Sequence, residues 1–533
     1  MASERHRAPN KAPICVQIRV AMSESILSPS LDIQRRMHLA QRALVTLFAA
    51  SLVACAAGPD FKQPDAPKVA RFTEKPTATT LATAPNVAGG TEQQIIPDTD
   101  IPAEWWTLFK SPQLDKLIKA ALEQNPNLAA ADAALRVAQE NVNAQIGGQY
   151  FPSIGLGGNA TRQQQSLATF GLPGQNIYNV YNTSINLGYR LDVFGAARRA
   201  VESARAQAEI SQFQLEGAYL ALTANIVTSA VREAALRAQY AATSEILKAQ
   251  QNFADVTERQ LAIGTVSRVD LTSQQTLVAN SQVDLLAYER NLAFARNQLA
   301  VYTGAFPSNA QIAEFELANL HLPDKLPLSL PSDLVRQRPD IRAAEALLKS
   351  TNALVGVATA NLLPQINLSA SVGSVALSSG ALFGPSAAIW SVAGGVFQPL
   401  FQGGQLLAQR RGAIAGYEQA VFQYQATVLT AFQEVADALR ALETGAQSLK
   451  AAADAERYSK QTLDLVQEQY KLGTSSYLAV LYYQNLYQQA KVKFVQAQAV
   501  RFADTAALFA ALGGGWWNRD GPAYQPNVAR NTQ

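Results

Sequence analysis

The sequence predicts a mixed α and β chain built by internal duplication. Each half runs helix, strand, strand, very long helix, glycine turn, helix. Three observations predict it. No proline lies between Pro173 and Pro307, nor between Pro399 and Pro522. An interior proline costs a helix about 3 kcal/mol, so these gaps are where long helices are allowed. Each gap holds a Gly-Thr pair, at Gly264 and Gly473, within "ERQLAIGTVSRVDL" and "EQYKLGTSSYLAVL". Between the proline breaks, short stretches alternate apolar and polar residues with period two.

From the N-terminus, Arg35, Arg36 and Arg42 precede a short apolar run, Ala43–Ala54, and Cys55 follows it. The run is too short for the ~20 residues that span a bilayer and suits a signal-peptide core. Met37 is an alternative start, which makes residues 1–36 an extension. Leu52-Val53-Ala54-Cys55 is similar to a lipobox, in which cleavage before the cysteine precedes attachment of diacylglycerol and an N-acyl chain to Cys55. An ordinary secretion signal with an incidental cysteine is the other reading. Residues 1–54 are therefore expected to be extension and signal, and 55–104 an extended arm, since 56–100 are rich in Pro, Thr, Ala and Gly without periodicity.

The first repeat is placed at 105–320 and the second at 321–517, with a tail over 518–533. "NPNLAAADAAL" from Asn125 pairs with "RPDIRAAEALL" from Arg338, and "YFPSIGL" from Tyr150 with "LLPQINL" from Leu362. "LDVFGAARR" from Leu191 pairs with "QPLFQGGQL" from Gln398. In "SINLGYRLDVF", Ile185, Leu187, Tyr189 and Leu191 alternate with Asn186, Gly188, Arg190 and Asp192. In "PQINLSASVGS", Ile366, Leu368, Ala370 and Val372 alternate with Asn367, Ser369, Ser371 and Gly373. A membrane β-barrel strand and a soluble sandwich strand both give this period. Four strands are too few for a single-chain barrel, so a barrel would need several chains to close its edges in lipid.

The long helices are expected over Ala196–Ile263 and Leu406–Leu472, each about 100 Å at 1.5 Å per residue. Gly264 and Gly473 suit the left-handed position that ends a helix, and Ser267 and Ser476 can start the next. Charged residues are 16% of the chain, below the ~25% of an ordinary soluble domain. Ala, Gln, Asn, Ser and Thr fill the difference. Such helices suit a hollow, water-filled wall; a long structural coiled coil, as in a surface adhesin, is the alternative.

Composition also excludes functions. Net charge is +3, which offers nothing to nucleic acid. Cys15 and Cys55 are the only cysteines, and His6, His38 and His321 the only histidines. No zinc motif can be assembled from these. His321 reads as a solvated loop residue, and "GLGG" at Gly155 lacks the lysine and context of a phosphate loop. No catalytic set, metal site or cofactor is expected beyond the lipid on Cys55.

Seven segments in order resemble the TolC-like outer-membrane efflux family, lipoprotein branch of RND-type systems. They are "CAAGPDFKQP", "WWTLFKSPQLDKLIKAALEQNPNL", "YRLDVFGAARRA", "LPSDLVRQRPDIRAAEALL", "FQPLFQGGQL", "VLTAFQEVADAL" and "ALGGGWW". The resemblance implies a homotrimer whose 12-stranded barrel, four strands per chain, continues into a long periplasmic α-helical barrel. It implies an outer-membrane exit duct of a Gram-negative bacterium, lipid-anchored, working with a periplasmic adaptor and an inner-membrane RND transporter. An exit duct for type I protein secretion is the alternative. The tips Gly264, Thr265, Ser267, Gly473, Thr474 and Ser476 resemble adaptor-contact ends. Asp270 and Tyr470 resemble a pair whose hydrogen bond holds the tunnel closed. The family's aspartate ring falls at Ala479 and Tyr482 here, so Leu478 and Tyr482 are expected to form an apolar, aromatic constriction instead.

Overall fold

A computed structural model describes residues 57–75, 80–81, 84–166, 168, 171 and 173–519. Cys55, the signal segment and the end of the C-terminal tail lie outside the described residues. The chain opens with an irregular arm that contributes β1 (Gln94–Pro97). Then come α1 (Pro112–Gln124), α2 (Pro126–Tyr150), β2 (Ser153–Ser166), β3 (Gln175–Leu191), α3 (Ala196–Ala262) and α4 (Arg268–Tyr302). The second pass gives β4 (Lys325–Leu328), α5 (Pro331–Gln337), α6 (Pro339–Ala360), β5 (Gln365–Ala376), β6 (Ala388–Phe397), α7 (Gln405–Lys471) and α8 (Tyr477–Ala511). The long helices α3 and α7 are each 67 residues, and their partners α4 and α8 each 35.

Local chemistry explains the breaks. The helix expected at the head of each repeat is two helices, because Pro126 and Pro339 each sit at a first helical position, where the missing N–H costs nothing. Asn125 caps α2 by accepting from the backbone N–H groups of Asn127 and Leu128. α3 begins after Gly195 and α7 after Gly404, both left-handed. At the first of these starts the Asp192 carboxylate accepts from the N–H groups of Ala197 and Arg198, both at 2.9 Å. A carboxylate there meets the positive end of the helix dipole.

Four of the strands form one antiparallel sheet in the order β2-β3-β5-β6. Its register puts Leu156, Ile185, Val372 and Trp390 side by side, and likewise Leu191, Ile366 and Val396. Directly paired residues share a face, so one face is a continuous apolar surface and much of it is exposed, with Leu156 at 80% and Trp390 at 78%. The opposite face carries Asn186, Ser371 and Ser391, with the two serine hydroxyls 2.8 Å apart. An apolar surface of this extent without a packed core beneath it faces lipid rather than another sheet. β2 and β6 are the edges of the sheet.

Below the sheet the two helical hairpins pack together, and the arm wraps their waist. The arm is more ordered than its composition suggests, because β1 pairs in parallel with β4, Gln94 against Lys325. A four-residue strand whose partner is over 200 residues away has no local signature. Trp105, Trp106 and Phe109 form a buried 3-10 turn, with Trp105 stacked on Phe509 at 5.4 Å. Buried Glu233 of α3 accepts from Arg237 at 2.6 Å, Arg296 at 3.0 Å and the Phe315 N–H at 3.1 Å. Arg338 ties α6 to α8 and α7 through the Ala511 carbonyl and Glu434, both at 2.7 Å.

Candidate functional site

The hairpin tips lie at the end of the helical part, far from the sheet. At the first tip Gly264 has φ +75, and at the second Gly473 has φ +74, a conformation that favours glycine. The N–H groups of Thr265 and Thr474 reach back to the carbonyls of Gln260 and Gln469, at 3.0 and 2.9 Å. Both threonine hydroxyls donate to those same carbonyls. Each tip is therefore a short, rigid reversal with its side chains held against the ending helix. Gly264, Thr265, Ser267, Gly473, Thr474 and Ser476 are all exposed.

Ser267 and Ser476 both cap. The Ser267 hydroxyl oxygen accepts from the Asp270 N–H at 3.2 Å, and the Asp270 carboxylate accepts from the Ser267 N–H at 2.9 Å. The pair forms a full capping box. Ser476 accepts from the Ala479 N–H at 3.2 Å.

Within the protomer, the expected direct bond between Asp270 and Tyr470 is not made. The Asp270 carboxylate is occupied by Ser267, whose hydroxyl also donates to it at 2.7 Å. The Tyr470 hydroxyl donates to Gln260 Oε1 at 3.1 Å. Burial pushes the Tyr470 phenol above its usual range; the Gln260 bond pulls it back, and the nearby Asp270 charge adds to the rise. Leu478 and Tyr482 are one helical turn apart on α8 and exposed by 73% and 63%, so they form an apolar, aromatic stripe.

Sequence reasoning missed Tyr477. It is 6% exposed, stacks on Phe253 at 5.5 Å, and donates to Gln274 Oε1 at 3.1 Å. Its partners belong to the other repeat, so no local pattern marks it. Among the described residues no group of three His, Cys, Asp or Glu side chains gathers as a metal site requires.

At the opposite end of the helices, the arm begins beside the sheet. The Ala57 N–H donates to the Phe194 carbonyl at 2.9 Å, just past β3. Arg199 donates to Asp60 at 2.6 Å and to Glu202 at 2.8 Å. Asn352 donates to the Pro59 carbonyl at 2.9 Å. Gly356 is required here, since a Cβ on it would fall 2.9 Å from the Ala57 carbonyl oxygen.

A sheet with a lipid-type face, continued by duplicated hairpins of this length, matches one family model, described as outer membrane efflux protein, over residues 117–305 and 330–514. The chain belongs to the outer membrane efflux protein family. Each matched stretch contains one hairpin. The chain is 29% identical to the probable efflux pump outer membrane protein TtgC of Pseudomonas putida, over 88% of this chain and 95% of that protein. It is 30% identical to the solvent efflux pump outer membrane protein SrpC of Pseudomonas putida, over 87% and 96%. Among solved structures, the open state of the MtrE outer membrane channel of Neisseria gonorrhoeae superposes with a TM-score of 0.73 at 28% identity, covering 86% of this chain and 98% of that one. The fold is that of trimeric outer-membrane efflux channels. Members of the outer membrane efflux protein family are ducts rather than enzymes, which agrees with the absence of any catalytic set in the sequence.

Proposed function

We propose that this chain is the outer-membrane exit duct of a tripartite RND-type efflux pump, passing small molecules through a trimeric channel without bond chemistry. One observation carries the reading: an apolar-faced four-stranded sheet whose strands lead directly into 67-residue helices. Three such sheets close a barrel without free edges, and three sets of hairpins continue it as a tunnel. The exposed tips at Gly264 and Gly473 are the surface for a periplasmic adaptor, which links the duct to an inner-membrane transporter.

The duct rests closed at the tips. Asp270 contributes by fixing the first turn of α4 and by its charge beside Tyr470, and Tyr470 by its bond to Gln260. Leu478 and Tyr482 make the constriction neutral, so multivalent cations do not block it. Cys55 carries the lipid: it stands two positions before Ala57 in the sequence, and Ala57 is fastened just past the end of β3. Acyl chains on Cys55 enter the bilayer, each buried CH₂ contributing about 0.8 kcal/mol.

The test is planar-bilayer conductance of the purified protein, wild type against the Asp270→Ala, Tyr470→Phe double variant. A small wild-type conductance that rises sharply in the variant supports the closed duct. Absence of conductance in both overturns it. Mass spectrometry of the mature N-terminus tests the lipid: an unmodified Cys55 removes the anchor from this account.

A further inference from the structure

Resting on the closed-duct reading, we infer that Tyr477 is the pin that couples the two hairpins of a protomer, and that opening requires its hydroxyl to leave Thr257 and Gln274. Tyr477 belongs to the second hairpin, where its ring meets Tyr470 at 5.8 Å, and both its hydrogen-bond partners belong to the first. Its hydroxyl donates to Gln274 Oε1 of α4 at 3.1 Å. It accepts from the Thr257 hydroxyl of α3 at 3.3 Å. Its ring lies nearly parallel to Phe253 of α3, 12° from coplanar. One side chain therefore holds both helices of the neighbouring hairpin.

The pin is buried where Tyr470 is not. Thr257 and Gln274 are fully enclosed; when Tyr477 parts, Thr257 keeps its bond to the Phe253 carbonyl at 2.8 Å, but Gln274 Oε1 is left without partner or water, the costly situation for a buried group. Gln274 passes the tie onward, its Nε2 donating to the Gln250 carbonyl at 2.8 Å. The Gln250 amide in turn reaches Gln488 of α8 at 3.4 Å. Tyr470, by contrast, makes one bond at the helix end. Burial pushes the Tyr477 phenol up to about 12, so it stays a neutral donor throughout the physiological range. The geometry makes Tyr477 a positioning residue for the closed state, one turn inside the exposed tip and adjacent in sequence to Leu478 of the constriction.

The experiment compares single-channel conductance and thermal unfolding for wild type, Tyr477→Phe, Thr257→Val, Tyr470→Phe and Glu233→Gln. Tyr477→Phe keeps the ring on Phe253 and removes only the hydroxyl. The expected result is a several-fold rise in conductance for Tyr477→Phe, larger than for Tyr470→Phe, with unfolding lowered by only a few degrees. Thr257→Val is expected to raise conductance as well, and serves alone if Tyr477→Phe does not assemble. Glu233→Gln lowers unfolding at the waist and is expected to leave conductance at the wild-type value. Conductance unchanged in Tyr477→Phe and Thr257→Val, while the Asp270→Ala, Tyr470→Phe double variant opens, overturns the pin and leaves the closed duct standing. An equal rise in Glu233→Gln also overturns it, because loosening anywhere would then suffice. If no protein conducts, wild type included, the duct reading fails and the pin falls with it.

Discussion

Asp270 and Ala479 occupy the same third position of the two tip helices, 209 residues apart, yet only Asp270 returns the hydrogen bond of its capping serine. The two tips thus share a backbone and differ in charge and in helix-start stability. Ala479→Asp should complete the second capping box and add about 0.5–1 kcal/mol to helix stability. It also places a ring of carboxylates near Leu478 and Tyr482 in the trimer. Divalent or trivalent cations should then block conductance in Ala479→Asp and leave the wild type unaffected. Block of the wild type at the same concentration would argue against a neutral constriction.

The arm is predicted to be fastened by Arg199 rather than by Asp60. The Arg199 side chain is 6% exposed and holds two carboxylates, whereas Asp60 is 89% exposed. Arg199→Ala removes packing and both bonds together, an expected loss of about 1–2 kcal/mol. Asp60→Asn should cost less than about 0.5 kcal/mol, as exposed pairs do. Limited proteolysis between residues 57 and 75 should accelerate in Arg199→Ala and stay near wild type in Asp60→Asn.

Glu233 is the buried anion on which two arginines and a backbone N–H converge. Replacing it by Gln leaves Arg296 facing a neutral group, while Arg237 keeps the exposed Glu314 at 3.0 Å. Both arginines keep some solvent access, so the expected destabilisation is about 2–3 kcal/mol, below the value for fully enclosed pairs. Chemical denaturation of the detergent-solubilised protein measures it directly, and a change under about 0.5 kcal/mol would mean the arginines are satisfied by water.

Asp504 predicts a pH dependence. Burial pushes its carboxyl up to about 6, with the Arg501 charge opposing the rise. A Cβ on Gly445 would fall 2.5 Å from its Oδ2. Because the folded value lies above the unfolded one, the protonated form is favoured by folding. The contribution is fully present below about pH 4 and is lost as pH rises through about 6. Allowing for partial exposure, about 1–2 kcal/mol is expected. Asp504→Asn should remove this component of the pH profile and raise stability at pH 7, as read by thermal unfolding between pH 4 and 8.

How much was legible in the sequence follows from the range of each interaction. The proline-free gaps, the two Gly-Thr reversals and the period-two stretches are local, because helix continuity, turn geometry and strand faces depend on neighbours within a few positions. They set the duplicated plan, both long helices to within a residue at each end, and the capping roles of Ser267 and Ser476. Asp270 was legible as a tip residue, though its partner was not: a serine three positions away is always within reach, while Tyr470 must be brought from the other repeat.

Everything decided by contact between segments distant in sequence belonged to the tertiary structure. β1 finds β4 and Arg199 finds Asp60 only when the arm lies on the helices, and Tyr477 finds Thr257 and Gln274 only after the hairpins have packed side by side. A buried tyrosine and an exposed one look alike in sequence, since burial is set by what the rest of the chain lays over them. For this protein the local periodicities determined the duplicated plan of helices and strands, and the resemblance carried by seven ordered segments implied the kind of duct. The packing of one hairpin on the other decided which side chains hold its tips together, because the bonds of Tyr477 form only where α3, α4 and α8 meet.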